Sequence, residues 1–268
     1  MIKSKAVSCG VFAETAFFFA LDVRNIVLYN LYMQINGAIF DLDGTVLDSM
    51  EMWLNAGELF LNSLGIKAKK NLGAVLLQMN VEEGAFFIQK EYKLNLTVKE
   101  IIEGTASVVK KTYTEKVQPK PGVQKLLELL SKNKIPCVIL TGSDRQMFED
   151  CLKKHNLDGF FKEILTCSEL KMSKSNPGIY SVAAKKFNSK AENALVFEDA
   201  PDAIKSAKKA GFYTIGIYDS CTHSNSDICS AKKSSDIFCK NFDEATEHIE
   251  NLLRLIGAAR KRCKENCD

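Results

Sequence analysis

No run of 18 apolar residues occurs in the sequence, which leaves no segment to read as a transmembrane helix. Proline is scarce at five residues, glycine stops at 15, and no low-complexity tract or repeat of about 20–50 residues is present, so collagenous, disordered and solenoid classes are excluded. Neither sign of charge dominates. The 36 basic residues exceed the 33 acidic ones by three, and the excess is spread along the chain, which argues against a dedicated nucleic-acid surface. No Cys-x-x-Cys pair exists among the nine cysteines; an odd, irregular set fits reduced thiols better than a disulfide framework. Cys221, His223, Cys229 and Cys239 fit no common zinc spacing and read as ordinary thiols. Cys263 and Cys267 lie four apart in a basic tail without a histidine beside them, and read as residues of a frayed terminus.

What remains is the composition of a globular protein, 46% apolar and 26% charged, with 268 residues for one or two domains. Residues 1–32 form an extension. Its apolar run Ala16–Leu21 follows Lys3 and Lys5 but is too short to span a bilayer, is bracketed by Glu14, Asp22 and Arg24, and precedes no small-x-small cleavage site. A non-secretory extension is therefore expected, with Met33 a natural first residue and a cytoplasmic setting.

From Ile35 onward short apolar runs alternate with amphipathic segments, the pattern of a parallel sheet flanked by helices. Strands are expected at 35–40, 135–140, 194–197 and 213–217, with weaker candidates at 163–166 and 237–239. Helices are expected at Val123–Lys132, Met147–His155, Gly178–Phe187, Ala203–Ala210 and Asp243–Ile256. Asn176 and Pro177 are placed as N-cap and first-turn residues of the third, and Gly211 as a C-cap. Residues 51–117 are helical throughout, in three segments around Trp53–Leu64, Val81–Tyr92 and Val98–Tyr113. Such an insertion after the first strand reads as a cap over the strand ends, with residues 118–122 as the return linker. The expected fold is α/β, a doubly wound, mostly parallel sheet with an inserted α-helical cap domain. The core takes residues 33–50 and 118–250, the cap 51–117, and a basic tail 251–268.

Each chemically suggestive cluster follows an expected strand, where open α/β sheets place their ligands. Asp41 and Asp43 follow the first. Two apart in extended chain, they point the same way, and they repel unless a cation or proton lies between them. Gly44 permits a sharp turn. Thr141-Gly142-Ser143 follows the second, a hydroxyl and a flexible backbone whose N–H groups can face an anion. Lys174 lies in a loop before a helix, and Glu198-Asp199 follow the 194–197 strand. Oxygen ligands for a hard cation beside a hydroxyl and a lysine suit magnesium and a phosphoryl group.

The pattern Asp-x-Asp-Gly-Thr-x-x-Asp-Ser (41–49), Thr-Gly-Ser (141–143), Lys174 and Glu198-Asp199 resembles the haloacid dehalogenase superfamily in order and approximate spacing, over residues 35 to 240. The helical insertion resembles the cap of its β-phosphoglucomutase-like and sugar-phosphate phosphatase branch. The resemblance implies Asp41 as nucleophile forming an aspartyl-phosphate and Asp43 as general acid and then base. It implies magnesium held by Asp41, the Asp43 carbonyl and Asp199, with Glu198 in or beside that set, and phosphoryl contacts from Thr141, Gly142, Ser143 and Lys174. An aspartate at position 43, where dehalogenases carry an aromatic residue and phosphonatases an alanine, argues for phosphate-ester chemistry. Ser175, Ala200 and Ala203 depart from residues common in the family at supporting positions. Trp53 is a candidate to line the substrate pocket or to pack the cap, while His155 and His248 read as structural or exposed.

The expectation is a magnesium-dependent phosphomonoesterase acting on a small phosphorylated metabolite, a sugar or polyol phosphate, as a monomer or weak homodimer without nucleic acid or membrane. The first alternative is a hexose phosphomutase, which the absence of arginine between Glu51 and Val117 disfavours. The second is a catalytically silent binding scaffold.

Overall fold

Gly37, Ala38, Ile39 and Phe40 are all buried, as a strand covered on both faces requires, and they form the central strand β1 (Gly37–Phe40) of the computed structural model. The structure describes residues 34–221 and 225–265. The extension 1–32, Met33, His223 and Cys267 lie outside these residues.

Strands β2 (Cys137–Thr141), β3 (Phe161–Thr166), β4 (Ala194–Glu198), β5 (Tyr213–Ile217) and β6 (Ile237–Cys239) complete a six-stranded sheet in the order β3-β2-β1-β4-β5-β6. All pairings are parallel. The chain runs outward from β1 on one side and then returns to the other, so the order reverses between β1 and β4. Loops at the carboxyl ends of those two strands diverge and leave a crevice.

Five helices stand between β1 and the next stretch of core: α1 (Met50–Leu54), α2 (Ala56–Ser63), α3 (Leu72–Leu76), α4 (Val81–Glu91) and α5 (Val98–Glu115). Asn80 and Thr97 start the last two with capping boxes, closed by Glu83 and Glu100. Phe60, Leu61, Leu72, Ile88 and Ile101 form the insertion's own core. The chain then continues through α6 (Val123–Lys132), α7 (Arg145–Lys154) after β2, the short α8 (Cys167–Leu170), α9 (Gly178–Lys185), α10 (Pro201–Lys209), α11 (Asn225–Ser234) and α12 (Phe242–Glu265). Helix α5 packs on α7, α9 on β1 and β2, and α10 on β4 and β5.

Successive residues of β1 serve opposite faces. Ile39 joins Val138, Val196, Ile179 and Phe187 on one. Phe40 stacks on Phe197 with ring centroids 4.3 Å apart, and Phe161 meets its edge at 6.0 Å. Among the described residues no helix is long and apolar enough to cross a membrane.

Differences from the expected elements fall mostly at their ends. Gly178–Phe187 stops at Lys185, although the Asn176 side chain does accept from the Gly178 N–H (3.0 Å). Gly211, at φ +88°, follows α10, with Phe212 N donating to the Ala207 carbonyl. The expected helix 243–256 runs from Phe242 to Glu265, so the stretch read as a basic tail is helical for most of its length, and Gly257 does not interrupt it. The helix α3 was not expected, because five residues are too few to display a period.

Phe40→Ala removes the ring at the centre of this stack. A loss of about 3–5 kcal/mol is expected, read as a lower urea midpoint at unchanged slope.

Candidate active site

The turn after β1 is held by backbone bonds from Gly44 N to the Leu47 carbonyl (2.9 Å) and from Leu47 N to the Leu42 carbonyl (2.8 Å). Gly44 has φ +80°, and a Cβ there would lie 2.4 Å from Asp199 Oδ2. Glycine is thus required twice, for the turn and for the approach of Asp199.

At the crevice between β1 and β4, Asp41 and Glu198 are buried and share one cation. Lys174 Nζ donates to Asp41 Oδ1 and to Glu198 Oε2, the latter at 2.8 Å. The other Glu198 oxygen accepts from Ala200 N at 3.2 Å. Burial pushes the Asp41 carboxyl up to about 7, with repulsion from Glu198 adding to it and Lys174 pulling the other way. Burial likewise raises Glu198 to about 7, against the attraction of Lys174. Burial disfavours the Lys174 ammonium, but Asp41 and Glu198 outweigh it and hold its pKa well above the usual lysine value.

Asp199 completes the cluster, with Thr45 Oγ1 donating to its Oδ1 at 3.4 Å. One carboxylate oxygen from each of Asp41, Glu198 and Asp199 lies within 4.8 Å of the others, and all three residues are buried. Three carboxylates against one ammonium leave two negative charges when all are ionised. Oxygen donors with that surplus fit a hard divalent cation.

Asp43 has different neighbours. Ser49 Oγ and Tyr113 Oη donate to its Oδ1, the former at 2.6 Å, and Ser143 Oγ donates to its Oδ2 at 2.6 Å. Trp53 Nε1 donates to Tyr113 Oη at 3.0 Å, with the two rings edge to face. Burial and the neighbouring Asp43 keep Tyr113 protonated. Ser49 and Ser143 can accept as well as donate, so the cage holds the carboxyl ionised or protonated.

Tyr113 carried no distinct mark of the site in the sequence. It sits two residues before the end of α5 on the helix's buried face, and its periodicity is that of any core aromatic. The one signal was a polar tip on a fully buried position, which must find a partner. Trp53 packs on Tyr113 and lines a cavity.

Thr141 is fully buried at the end of β2, and its Oγ1 accepts from Ser143 N at 3.0 Å. Its proton is directed elsewhere, and Gly142 is exposed beside it. Ser143 was expected to face the phosphoryl group, yet its hydroxyl contacts Asp43. The sequence candidates Asp41, Asp43, Lys174, Glu198 and Asp199 thus meet at one sheet edge, with Thr141, Gly142 and Ser143 adjoining. The discounted thiols do not gather comparably: Cys239 is buried while Cys221 and Cys229 are exposed.

A cavity of about 680 Å³ lies between the insertion and the segment from Gly142 to Met147. Trp53 and Ser143, both in the Asp43 network, line it.

Known proteins resemble this chain over two thirds or more of its length. The phosphorylated carbohydrates phosphatase of Thermotoga maritima is 22% identical over 181 residues, 68% of this chain and 84% of its own. The (DL)-glycerol-3-phosphatase 2 of Arabidopsis thaliana is 25% identical over 193 residues, covering 69% and 80%. A crystal structure of a family IA, variant 3 HAD hydrolase from Entamoeba histolytica superposes with a TM-score of 0.66 at 22% identity, covering 84% of this chain and all of that one. The family model for haloacid dehalogenase-like hydrolases matches residues 38–217, from β1 to the end of β5 and so across every residue of the cluster, and the chain belongs to that family.

Proposed function

We propose that this hydrolase is a magnesium-dependent phosphatase that cleaves a small phosphomonoester through an aspartyl-phosphate on Asp41. The observation that carries the reading is the buried set Asp41, Glu198, Asp199 and Lys174 beside a separately caged Asp43. The relatives' names, phosphatases of carbohydrate and glycerol phosphates, support the same reaction class.

Asp41, Asp199 and the Asp43 carbonyl would hold the cation, which when bound offsets the repulsion between a carboxylate nucleophile and a phosphate dianion. Each Glu198 oxygen accepts one N–H bond and keeps a lone pair, so Glu198 would fix Lys174 and stand in or beside the cation's ligand set. An Asp41 oxygen attacks phosphorus, the ester P–O bond breaks, and Asp43 gives its proton to the departing alkoxide. Asp43 then takes a proton from water as that water's oxygen attacks phosphorus, releasing phosphate and restoring Asp41. Thr141 and the Gly142 N–H would bind phosphoryl oxygens, and Lys174 would balance their charge. The helices of residues 51–117 would act as a cap that excludes water during the first transfer.

Resemblance and relatives both suggest a sugar or polyol phosphate, handled in the cytoplasm by a monomer or weak homodimer without nucleic acid or membrane. Among the described residues no lysine, arginine or histidine lines the cavity, which gives a second phosphate no partner and favours a phosphatase over a phosphomutase. A silent scaffold would have no use for three buried carboxylates around a lysine, each costly to desolvate.

Phosphate release from p-nitrophenyl phosphate and from sugar phosphates should require magnesium, stop with EDTA and vanish in Asp41→Asn. Asp43→Asn should retain binding and lose about 10²–10⁴-fold in kcat. Release unaffected by Asp41→Asn would overturn the assignment, and isomerisation of glucose 1-phosphate with a bisphosphate activator would favour the mutase.

The raised carboxyls give a second test. Asp41 and Glu198 near 7 stand above their unfolded values of about 4, so the folded chain without cation binds more protons across that window, and its stability falls as pH rises through it. Magnesium should therefore raise Tm by several degrees at pH 8 and hardly at pH 5. Equal shifts at both pH values would count against a cation at these carboxylates.

A further inference from the structure

The cavity beside Asp43 is unlike a polyol site. Leu54, Leu76, Ile102 and Met147 line it, together with Leu77 and Val81, which are 64% and 66% exposed and so stand at its mouth. Large apolar side chains left in water at the entrance of a cavity mark a contact surface.

Most of the polar lining groups are engaged within the protein, the Gln146 amide being the exception. Thr105 Oγ1 donates to the Ile101 carbonyl at 2.8 Å, Asn80 Oδ1 accepts from Glu83 N at 2.9 Å, and Ser143 Oγ donates to Asp43. Asp144, the one charged lining residue among those described, accepts from Ser168 Oγ at 2.7 Å. A sugar seated here would bring several hydroxyls with few groups to meet them, and each hydroxyl buried without a partner weakens binding about five- to a hundredfold.

Location links this wall to the reaction. Ser143 lines the cavity and bonds Asp43; Trp53 lines it and bonds Tyr113, which bonds Asp43. The cavity therefore opens beside the carboxyl that would protonate the leaving group, where the body of the alcohol must lie. Its volume, about 680 Å³, is within the range of small-molecule sites and well beyond what a phosphate needs.

We infer that the substrate is a monophosphate ester whose leaving alcohol is largely apolar, alkyl or aryl, with its phosphate at Asp41 and its body against Leu54, Leu76, Ile102 and Met147. This rests on the phosphatase reading above, and narrows its substrate away from sugars and polyols.

The test is kcat/KM with magnesium for ethyl, butyl, hexyl and octyl phosphate beside glycerol 3-phosphate and fructose 1-phosphate. Values should rise about fourfold per added methylene until the cavity is filled, and the hexyl ester should exceed both polyol esters. Ala106→Leu, on the lining face of α5, should move the optimum to a shorter chain, and Ala106→Asp should flatten the series. A flat series with the polyol esters preferred overturns the substrate class and leaves the phosphatase standing. Calorimetry with the matching alkyl phosphonates separates the two readings when nothing is hydrolysed: affinity rising with chain length supports the apolar site although the phosphatase reading fails, and affinity independent of chain length overturns the site as well.

Discussion

Concentrated negative charge at one buried sheet edge is the constraint that the rest of the molecule serves. Asp41, Glu198 and Asp199 lie with oxygens within 4.8 Å in an environment that raises two of them to about 7. Such an arrangement is unfavourable alone, and Lys174 neutralises only part of it. The fold supplies what makes it possible. Parallel strands β1 and β4 end side by side, in register from Gly37 with Ala194 to Phe40 with Phe197, so the residues just beyond them are brought together by backbone hydrogen bonds rather than by their own affinity. The aromatic stack of Phe40 on Phe197 lies immediately behind the two carboxylate-bearing ends. Packing energy accumulated in the sheet is what holds the repelling charges in place, and the remaining charge imbalance is what a bound cation would offset.

Asp43 obeys a separate logic. Its carboxyl accepts from three hydroxyls, one from its own turn, one from the loop after β2 and one from the last helix of the insertion. The first two are fixed to the sheet. Tyr113 is not, because it belongs to the segment that enters and leaves the core through residues 50 and 117–122. A carboxyl bonded to both layers ties them together, so any displacement of α5 away from the sheet would remove one of its three donors. The Trp53 indole contributes indirectly, by holding the Tyr113 hydroxyl in place.

Much of this was legible in the sequence, for reasons that differ by residue. The strands were visible as short apolar runs because each is buried on both faces, and Val123–Lys132 because its leucines keep a helical period. The charged residues at 41, 43, 174, 198 and 199 were legible because a hydrolytic site needs charge where a globular core tolerates none. Tyr113 was not, since a tyrosine at a core spacing looks the same whether its hydroxyl meets a backbone carbonyl or a buried side-chain carboxyl, and only the tertiary contact across 70 residues distinguishes them. Ser143 was placed on the right loop, but its bond to Asp43 was not legible. A serine near an anion site satisfies the pattern with either its side chain or its backbone, and the sequence holds no information on which.

Specificity and chemistry are thus written in different alphabets on the two sides of the cleft. The sheet edge is made of charged groups governed by repulsion and desolvation, and on the proposed reading these would act on the phosphate, the part common to every phosphomonoester. The insertion faces it with leucine, isoleucine, valine and methionine, which recognise shape and area and make no directional demands. Such a wall discriminates by modest factors per carbon atom and tolerates isosteres, whereas a wall of hydrogen-bonding groups would reject a substrate lacking one partner by several orders of magnitude. On the proposed reading, a chain built this way would accept a series of related esters graded by the apolar area they bury, and its selectivity would come from what the cavity cannot satisfy, namely extra hydroxyls and second phosphates, more than from any group it singles out.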